Sequence, residues 1–332
     1  MAKFAAAFGS SHSVMLVCEE QDWIGRFPPS DRRMTHHDFN GDLISYDDLV
    51  AKFADRAEPL VRPEAIAQRW HKTQAAMDHM RDELQGAGLD ALIIVGDDQH
   101  ELFPSYHNPA IAIYYGETIR NTKARTDLPK EDWYHRAQQR RKEDDRDVDY
   151  PVHAPLAKHL IAGLTERGFD ITAISGMAPG QSEGHAYSFI HRRYLRGCRL
   201  PIVPIFVNTY YPPNPPTPER CIALGKEIGT LIRSFPEDIR VGFLGSGGLS
   251  HFVVDEQLDQ GVIDALKRGD LDWLARLTPK RLQAGTSEIR NWLVVAGAVA
   301  GTGLKITWSD YIPGYRTPAL TGTGLGFVRW RE

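Results

Sequence analysis

Residues 241–251 read V-G-F-L-G-S-G-G-L-S-H. Val241, Phe243 and Leu244 describe a buried strand, which Gly245-Ser246-Gly247-Gly248 breaks before Ser250 and His251 are presented. Glycines just past a strand let the backbone turn tightly and come close to a ligand. Open α/β sheets bind ligands beyond the carboxyl ends of their strands. A histidine there, with an ordinary pKa of about 6.5, suits chemistry near neutrality. A phosphate-cradling glycine loop, or a plain turn beside a histidine, is written in the same letters, so the rest of the chain must decide.

Outward from this stretch the design recurs. Phe4 to Phe8 predicts a small apolar strand running into Gly9-Ser10-Ser11-His12. Ile66, Trp70, Met77, Met80 and Leu84 fall on one face of a helix from Pro63 to Leu84, closed by Gly86 and Gly88. Leu89 to Val95 then reads as a buried strand. At its end stands Gly96-Asp97-Asp98-Gln99-His100-Glu101, a polar cluster read as a site rather than a solvent-facing rim. Ala110 to Tyr115, Phe169 to Ile174 and Pro201 to Val207 predict further strands, and Gly184-His185 follows the second of them. Helices are expected from Leu156 to Leu164, Thr217 to about Phe235 and Ile289 to Val299, with two short ones in Asp255 to Leu277 parted by Gly269. Helix alternating with buried strand predicts an α/β fold. The expectation is a single domain over residues 1–332 with a central, largely parallel or mixed sheet, helices on both faces and the active site at strand carboxyl ends. Residues 19–61, with His36-His37, read as a polar insertion, a surface excursion or lid, and residues 122–150, with mixed charges from Arg140 to Asp145, as a polar insertion, a solvated excursion or helix. The Gly- and aromatic-rich last thirty residues (Tyr311, Tyr315, Phe327, Trp330) read as cover for a pocket or a subunit interface.

A chain of 332 residues, 42% hydrophobic, has ample material for a core. A net charge of -4 offers no basic face, so neither nucleic acid nor an anionic membrane surface is an expected partner. No run approaches the roughly 18 apolar residues of a membrane span, and the first residues are too short an apolar run for a signal peptide. The three scattered cysteines, Cys18, Cys198 and Cys221, fit free thiols in a reducing cytoplasm.

Four predicted strand ends carry a histidine (His12, His100, His185 and His251), and Glu288 opens the helix from Ile289. Two histidines and one carboxylate on one side of a metal form the facial triad of non-haem Fe(II) oxygenases, which leaves positions open for substrate and O₂. A further histidine serves as acid or base. The residue types alone do not choose Fe(II) over Zn(II) or Mn(II).

Six segments carry a resemblance: S-S-H ending at His12, the strand end Asp98-Gln99-His100, E-G-H at His185, V-P-I-F-V-N-T-Y-Y-P-P from Val203, G-S-G-G-L-S-H at His251 and G-T-S-E-I-R-N-W-L around Glu288. Together they resemble the catalytic (beta-type) subunit of class III, protocatechuate 4,5-type extradiol ring-cleavage dioxygenases. The last two segments, in this order, are the most specific, and the likeness is weakest over 19–61 and 122–150. The resemblance implies an Fe(II)-dependent enzyme that opens the ring of a catechol-like or aminophenol-like substrate and incorporates both atoms of O₂. By position it implies His12 and Glu288 as metal ligands, His251 as the residue that handles protons, and His185 as a second active-site histidine near substrate or oxygen. It also implies a homodimer and, as in some members, a small partner subunit over the site.

The departure lies at the second histidine ligand. The family has Asp-His at that strand end, and an ungapped reading from Val95 to Phe103 places Gln99 at the ligand position, with His100 one residue later. Neighbouring strand residues face opposite ways. Either the loop bulges and His100 binds the metal, or Gln99 occupies the site with an amide, a poorer iron ligand than imidazole. His36 or His37 is a third source. A second reading follows: a protein of the same fold that has lost ring cleavage and binds a metal, an aromatic or a partner. Arg192 and Arg193, close behind His185, are candidates to pair with a substrate carboxylate or to lie in surface ion pairs. Tyr210 and Tyr211 are candidates to stack on a ring or to pack under the proline loop.

Overall fold

The apolar run Ala91–Gly96 is buried at every position, as a strand covered on both faces must be. In the computed structural model, which spans residues 1–332, it lies inside a nine-stranded sheet. The strands are β1 (Lys3–Ser10), β2 (Ala91–Gly96), β3 (Ile111–Tyr114), β4 (Thr172–Ile174), β5 (Ile202–Val207), β6 (Arg240–Ser246), β7 (His251–Val253), β8 (Lys305–Tyr315) and β9 (Thr321–Arg331). Their order is β7-β9-β1-β6-β2-β5-β3-β4, with β8 paired to β9. The four central strands β1, β6, β2 and β5 run parallel, so Ser10, Ser246, Gly96 and Val207 end side by side. Antiparallel pairs flank them: β3 on β5, and β9 on β1, β7 and β8.

The longer helices are α1 (Tyr46–Leu60), α2 (Pro63–Gln85), α3 (Ala154–Glu166), α4 (His185–Arg193), α5 (Pro218–Ser234), α6 (Glu256–Arg268) and α7 (Ile289–Val299). The two-residue period of the strands divides the core between the sheet's faces. Ile93, Val95, Val203, Ile205 and Phe243 pack against α3, α5, α6 and α7. Leu92, Ile94, Ile202, Phe206 and Leu244 pack against α2 and α4 on the other face. No helix is long and apolar enough to cross a membrane.

Three stretches with weak sequence signals take definite form. The last thirty residues form a strand pair: β8 and β9 are eleven-residue strands built into the sheet. Gly322, Gly324 and Gly326 disguise β9 because Gly314, Asp259 and Leu249 with Trp292 pack against their backbone where a Cβ would stand. Residues 19–61 are largely helical (Glu20–Gly25, Phe27–Asp31 and α1). They are pinned to the β8–β9 turn by a buried ion pair in which Arg316 donates to both oxygens of Asp31 at 2.6 and 2.7 Å. Residues 122–150 hold the helix that their mixed charges allow and bury Arg141 and Glu143. A short helix, Trp133–Gln138, and a 3-10 turn, Gln139–Arg141, lie over the strand ends and bury Arg141.

Candidate active site

The four parallel strand ends deliver the polar residues. His12 follows β1 by two residues and is buried. Its Nδ1 lies 2.9 Å from Ser246 Oγ, and that hydroxyl spends its own proton on the Ala186 carbonyl at 2.8 Å. Ser246 therefore accepts from His12 Nδ1–H, which leaves Nε2 as the bare lone pair. Burial lowers the His12 pKa to about 4, against the pull of Glu288, so the ring is neutral at pH 7.

Asp97, the first residue past β2, presents one oxygen to each of two histidines: Oδ1 lies 3.6 Å from His12 Nε2 and Oδ2 3.5 Å from His185 Nε2. Asn291, one turn into α7, donates to Asp97 Oδ1 at 3.2 Å. Burial, then the nearby Glu288, pushes the Asp97 carboxyl up to about 8. His185 begins α4 at the close of the Gly184 turn, whose φ of 83° favours glycine. Glu101 holds it twice, accepting from its backbone N–H at 2.9 Å and lying 2.6 Å from its Nδ1. Burial works against charge on this imidazole, but Glu101 outweighs it and raises the pKa to about 9. Burial likewise opposes ionisation of Glu101, and the His185 charge and hydrogen bonds overcome it, bringing that carboxyl to about 2.

Glu288, at the foot of α7, lies with Oε2 3.2 Å from His12 Nε2. It accepts from the Gly248 N–H and the Tyr210 hydroxyl, each at 2.5 Å. Burial disfavours its charge, yet His12, His251 and Tyr210 together hold it well below the usual carboxylate range. His251 opens β7. Its Nδ1 is 3.0 Å from the Leu249 carbonyl, which can only accept, so Nε2 is its basic nitrogen. Glycine is required beside it, because a Cβ on Gly248 or Gly285 would overlap the imidazole.

His12 Nε2 and His185 Nε2 are buried and have no hydrogen-bond partner. With a carboxylate oxygen of Asp97 they lie within 4.8 Å of one another. Buried polar atoms normally find partners, and two orphaned imidazole nitrogens facing carboxylates are a donor set for a divalent metal. Glu101 and Ser246 fix the rings through their other nitrogens, the usual outer support of metal-binding histidines. The arrangement suits a metal site.

A cavity of about 310 Å³ opens onto this cluster. His12, His185, His251, Glu288 and Gln99 all line it. His100 is brought elsewhere: its backbone takes a φ of 66°, and its exposed ring stacks on Tyr211 with centroids 3.9 Å apart. Gln99 stands beside the cluster, its amide directed at Asp97 Oδ2 from 3.5 Å. His36 is tied to the Asp31 carbonyl, and neither it nor His37 lines the cavity. Arg192 pairs with Glu143 and Asp144, and Arg193 with Asp78, away from the cavity. Tyr210 bonds to Glu288 rather than standing free to stack. Sequence reasoning grouped Asp97 and Glu101 in the polar strand end without giving either a role. It missed Tyr134, Gln138, Gln139, Arg141 and Lys142, which also line the cavity.

A gallate dioxygenase of Pseudomonas putida is 26% identical over 177 residues, 48% of this chain and 50% of that protein. A 2,3-dihydroxyphenylpropionate/2,3-dihydroxicinnamic acid 1,2-dioxygenase of Comamonas testosteroni is 33% identical over 100 residues, 30% of each chain. A second enzyme of that name, from Pseudomonas putida, reaches 51% over 53 residues, 16% of each chain. The chain thus matches half or less of the length of these relatives. A family model covers far more. Residues 59–326, which include Asp97, Glu101, His185, His251 and Glu288, match the catalytic LigB subunit of aromatic ring-opening dioxygenase, and the chain belongs to that family.

Proposed function

We propose that this protein is a non-haem Fe(II)-dependent extradiol dioxygenase that opens the ring of a catechol-like or aminophenol-like substrate with O₂. The single observation that carries the reading is the pair of orphaned Nε2 atoms of His12 and His185 facing Asp97 and Glu288. His12 and His185 would hold the iron with carboxylate oxygens from Asp97 and Glu288. In this reading His185 takes the place that the resemblance gives to the histidine after β2. Fe(II), when bound, supplies the one-electron chemistry that lets O₂ react with a closed-shell ring.

The chain's own residues do the rest. His251 Nε2 accepts a hydroxyl proton from the substrate, with Nδ1 anchored on Leu249 so that the basic nitrogen is the cavity-side one. Thr286 fixes the same residue by accepting from its N–H at 2.8 Å and donating to its carbonyl at 2.7 Å. Tyr210 and Gly248 keep Glu288 ionised and oriented. Tyr134, Tyr210 and Phe252 on the cavity wall limit water around the ring. The free cysteines accord with a cytoplasmic setting. A homodimer, with the 133–142 segment serving as the cover that a small partner subunit provides elsewhere, completes the reading.

The test is oxygen uptake by anaerobically Fe(II)-loaded protein over a panel of catechols and aminophenols, with His251→Ala as control. Stoichiometric uptake with ring-opened product supports the reading. A chain that binds iron but consumes no O₂ with any diol would leave the second reading, a metal- or aromatic-binding protein, for which Gln99 at the ligand position speaks.

A further inference from the structure

Two cations line the cavity without a carboxylate partner. Arg140, Arg192 and Arg193, close by in sequence or space, all form ion pairs. Arg141 and Lys142 form none, yet both face the cavity. Arg141 is 4% exposed. One of its Nη atoms donates to the His12 carbonyl at 2.7 Å, and its Nε is buried with no partner at all. A guanidinium withdrawn from water with an unused donor is costly unless an anion completes it. Lys142 is half-buried beside it, and its ammonium makes no hydrogen bond within the chain. The cavity's carboxylates do not serve this purpose: Glu101 is taken by His185, and Glu288 by Tyr210 and Gly248. Gln138 and Gln139 add neutral polar groups to the same wall. The cavity therefore has a metal-suited end made by strand termini and a cationic wall made by residues 138–142.

We propose that Arg141 and Lys142 are specificity-determining residues that receive a carboxylate on the aromatic substrate and so turn its hydroxyl groups toward His12, His185 and His251. The proposal rests on the ring-cleavage reading for what the cavity holds, and on the unpaired cations for the charge of the ligand. A planar guanidinium matches a carboxylate edge-on, and the neighbouring ammonium supplies a point charge. A cavity of about 310 Å³ suits a single-ring acid. The task that Arg192 and Arg193 are too well paired to perform thus falls to the segment that reads as a solvated charge run.

The experiment is calorimetric titration of the full chain under anaerobic conditions, metal-free and Fe(II)-loaded, with 4-hydroxybenzoate and 4-hydroxybenzamide. These ligands have nearly the same shape, differ in charge and offer no diol to cleave. The acid should bind at least about 10-fold more tightly than the amide, because each charge-assisted contact contributes about a factor of ten. Lys142→Met should remove about 10-fold from the acid and leave the amide unchanged. Arg141→Lys, which keeps the charge and loses the fork, should cost the acid less. Equal binding of acid and amide by the wild type, equal weakening of both by Lys142→Met, or no detectable binding of the acid overturns the proposal. Oxygen uptake separates the two ideas. Equal binding with ring cleavage intact overturns the cationic wall alone, whereas charge preference without cleavage of any diol leaves the wall standing and removes the dioxygenase reading.

Discussion

The imidazoles of His12 and His185 meet edge to face with centroids 4.6 Å apart, and their partnerless Nε2 atoms flank the carboxylate of Asp97. His12 follows strand β1 and His185 opens helix α4, so their convergence is a product of the fold and not of local sequence. Iron counted per chain after anaerobic reconstitution should therefore fall sharply in His12→Ala and His185→Ala. The loss should exceed the about 10–100-fold in affinity that outer-support changes cost. His100→Ala, whose ring stacks outside on Tyr211, should retain the wild-type count. Iron lost from His100→Ala and kept in His185→Ala would reverse the assignment.

Glu101 is a positioning residue for His185, because it fixes both the backbone and Nδ1 of that histidine. Glu101→Gln keeps the shape and removes the charge that favours Nδ1–H toward the carboxylate. Metal affinity, read by competition with a chelator, should drop about 10–100-fold while thermal stability without metal changes far less. A variant with unaltered affinity would show that Glu101 only caps α4.

The strand ends were legible because buried apolar runs broken by glycine are local signals, and Val241–His251 carried one in full. His12 and His251 could be gathered from that pattern, whereas His185 and Glu288 open helices and were brought in by the resemblance. The register past β2 could not. Whether Asp97, Gln99 or His100 faces inward depends on the backbone turn, and a φ of 66° at His100 sends that ring outward while Asp97, directly after Gly96, points in. The clue available was position: the first residue past a central strand lies nearest the other strand ends. Arg141 was illegible for a different reason. In a run of eight charges, Arg140 to Asp147, composition does not tell the buried Arg141 and Glu143 from their solvated neighbours. β9 was hidden by glycines that stand where other side chains press on its backbone.

Asp31 and Arg316 are 285 residues apart in sequence, and sequence alone gave no hint of their pairing. Both are buried, and Thr321 Oγ1 also donates to Asp31 at 2.7 Å. Removing one partner leaves a buried charge uncompensated, which costs about 3–5 kcal/mol. Asp31→Ala should lower stability by that order in urea unfolding. The double variant Asp31→Ala/Arg316→Met should recover part of the loss, since no lone charge is then left inside. A cost below about 1 kcal/mol, the range of exposed pairs, would mean that residues 19–61 are held by their apolar contacts instead.

Asp259 gives stability a dependence on pH that is separate from the metal ligands. It is buried, accepting from Ser250 N–H at 2.8 Å, Ser250 Oγ at 2.7 Å and the Tyr311 hydroxyl at 2.8 Å. Burial raises its carboxyl to about 7; these hydrogen bonds pull the other way, and Asp255 nearby adds to the rise. The folded chain therefore holds a proton that the unfolded chain, with an ordinary aspartate, releases near pH 4. Between about pH 4 and 7 the native state binds the extra proton, so this group's contribution to stability is fully present below that window. It declines by up to about 1.4 kcal/mol per pH unit as pH rises through it, then levels off. Asp259→Asn cannot titrate, so the slope of unfolding free energy against pH should differ between variant and wild type by that amount over pH 5–7, with no difference in slope above pH 8. Parallel curves across the whole range would mean that the three donors keep Asp259 ionised in the folded chain, and that Ser250, the residue before His251, is held by a charged carboxylate.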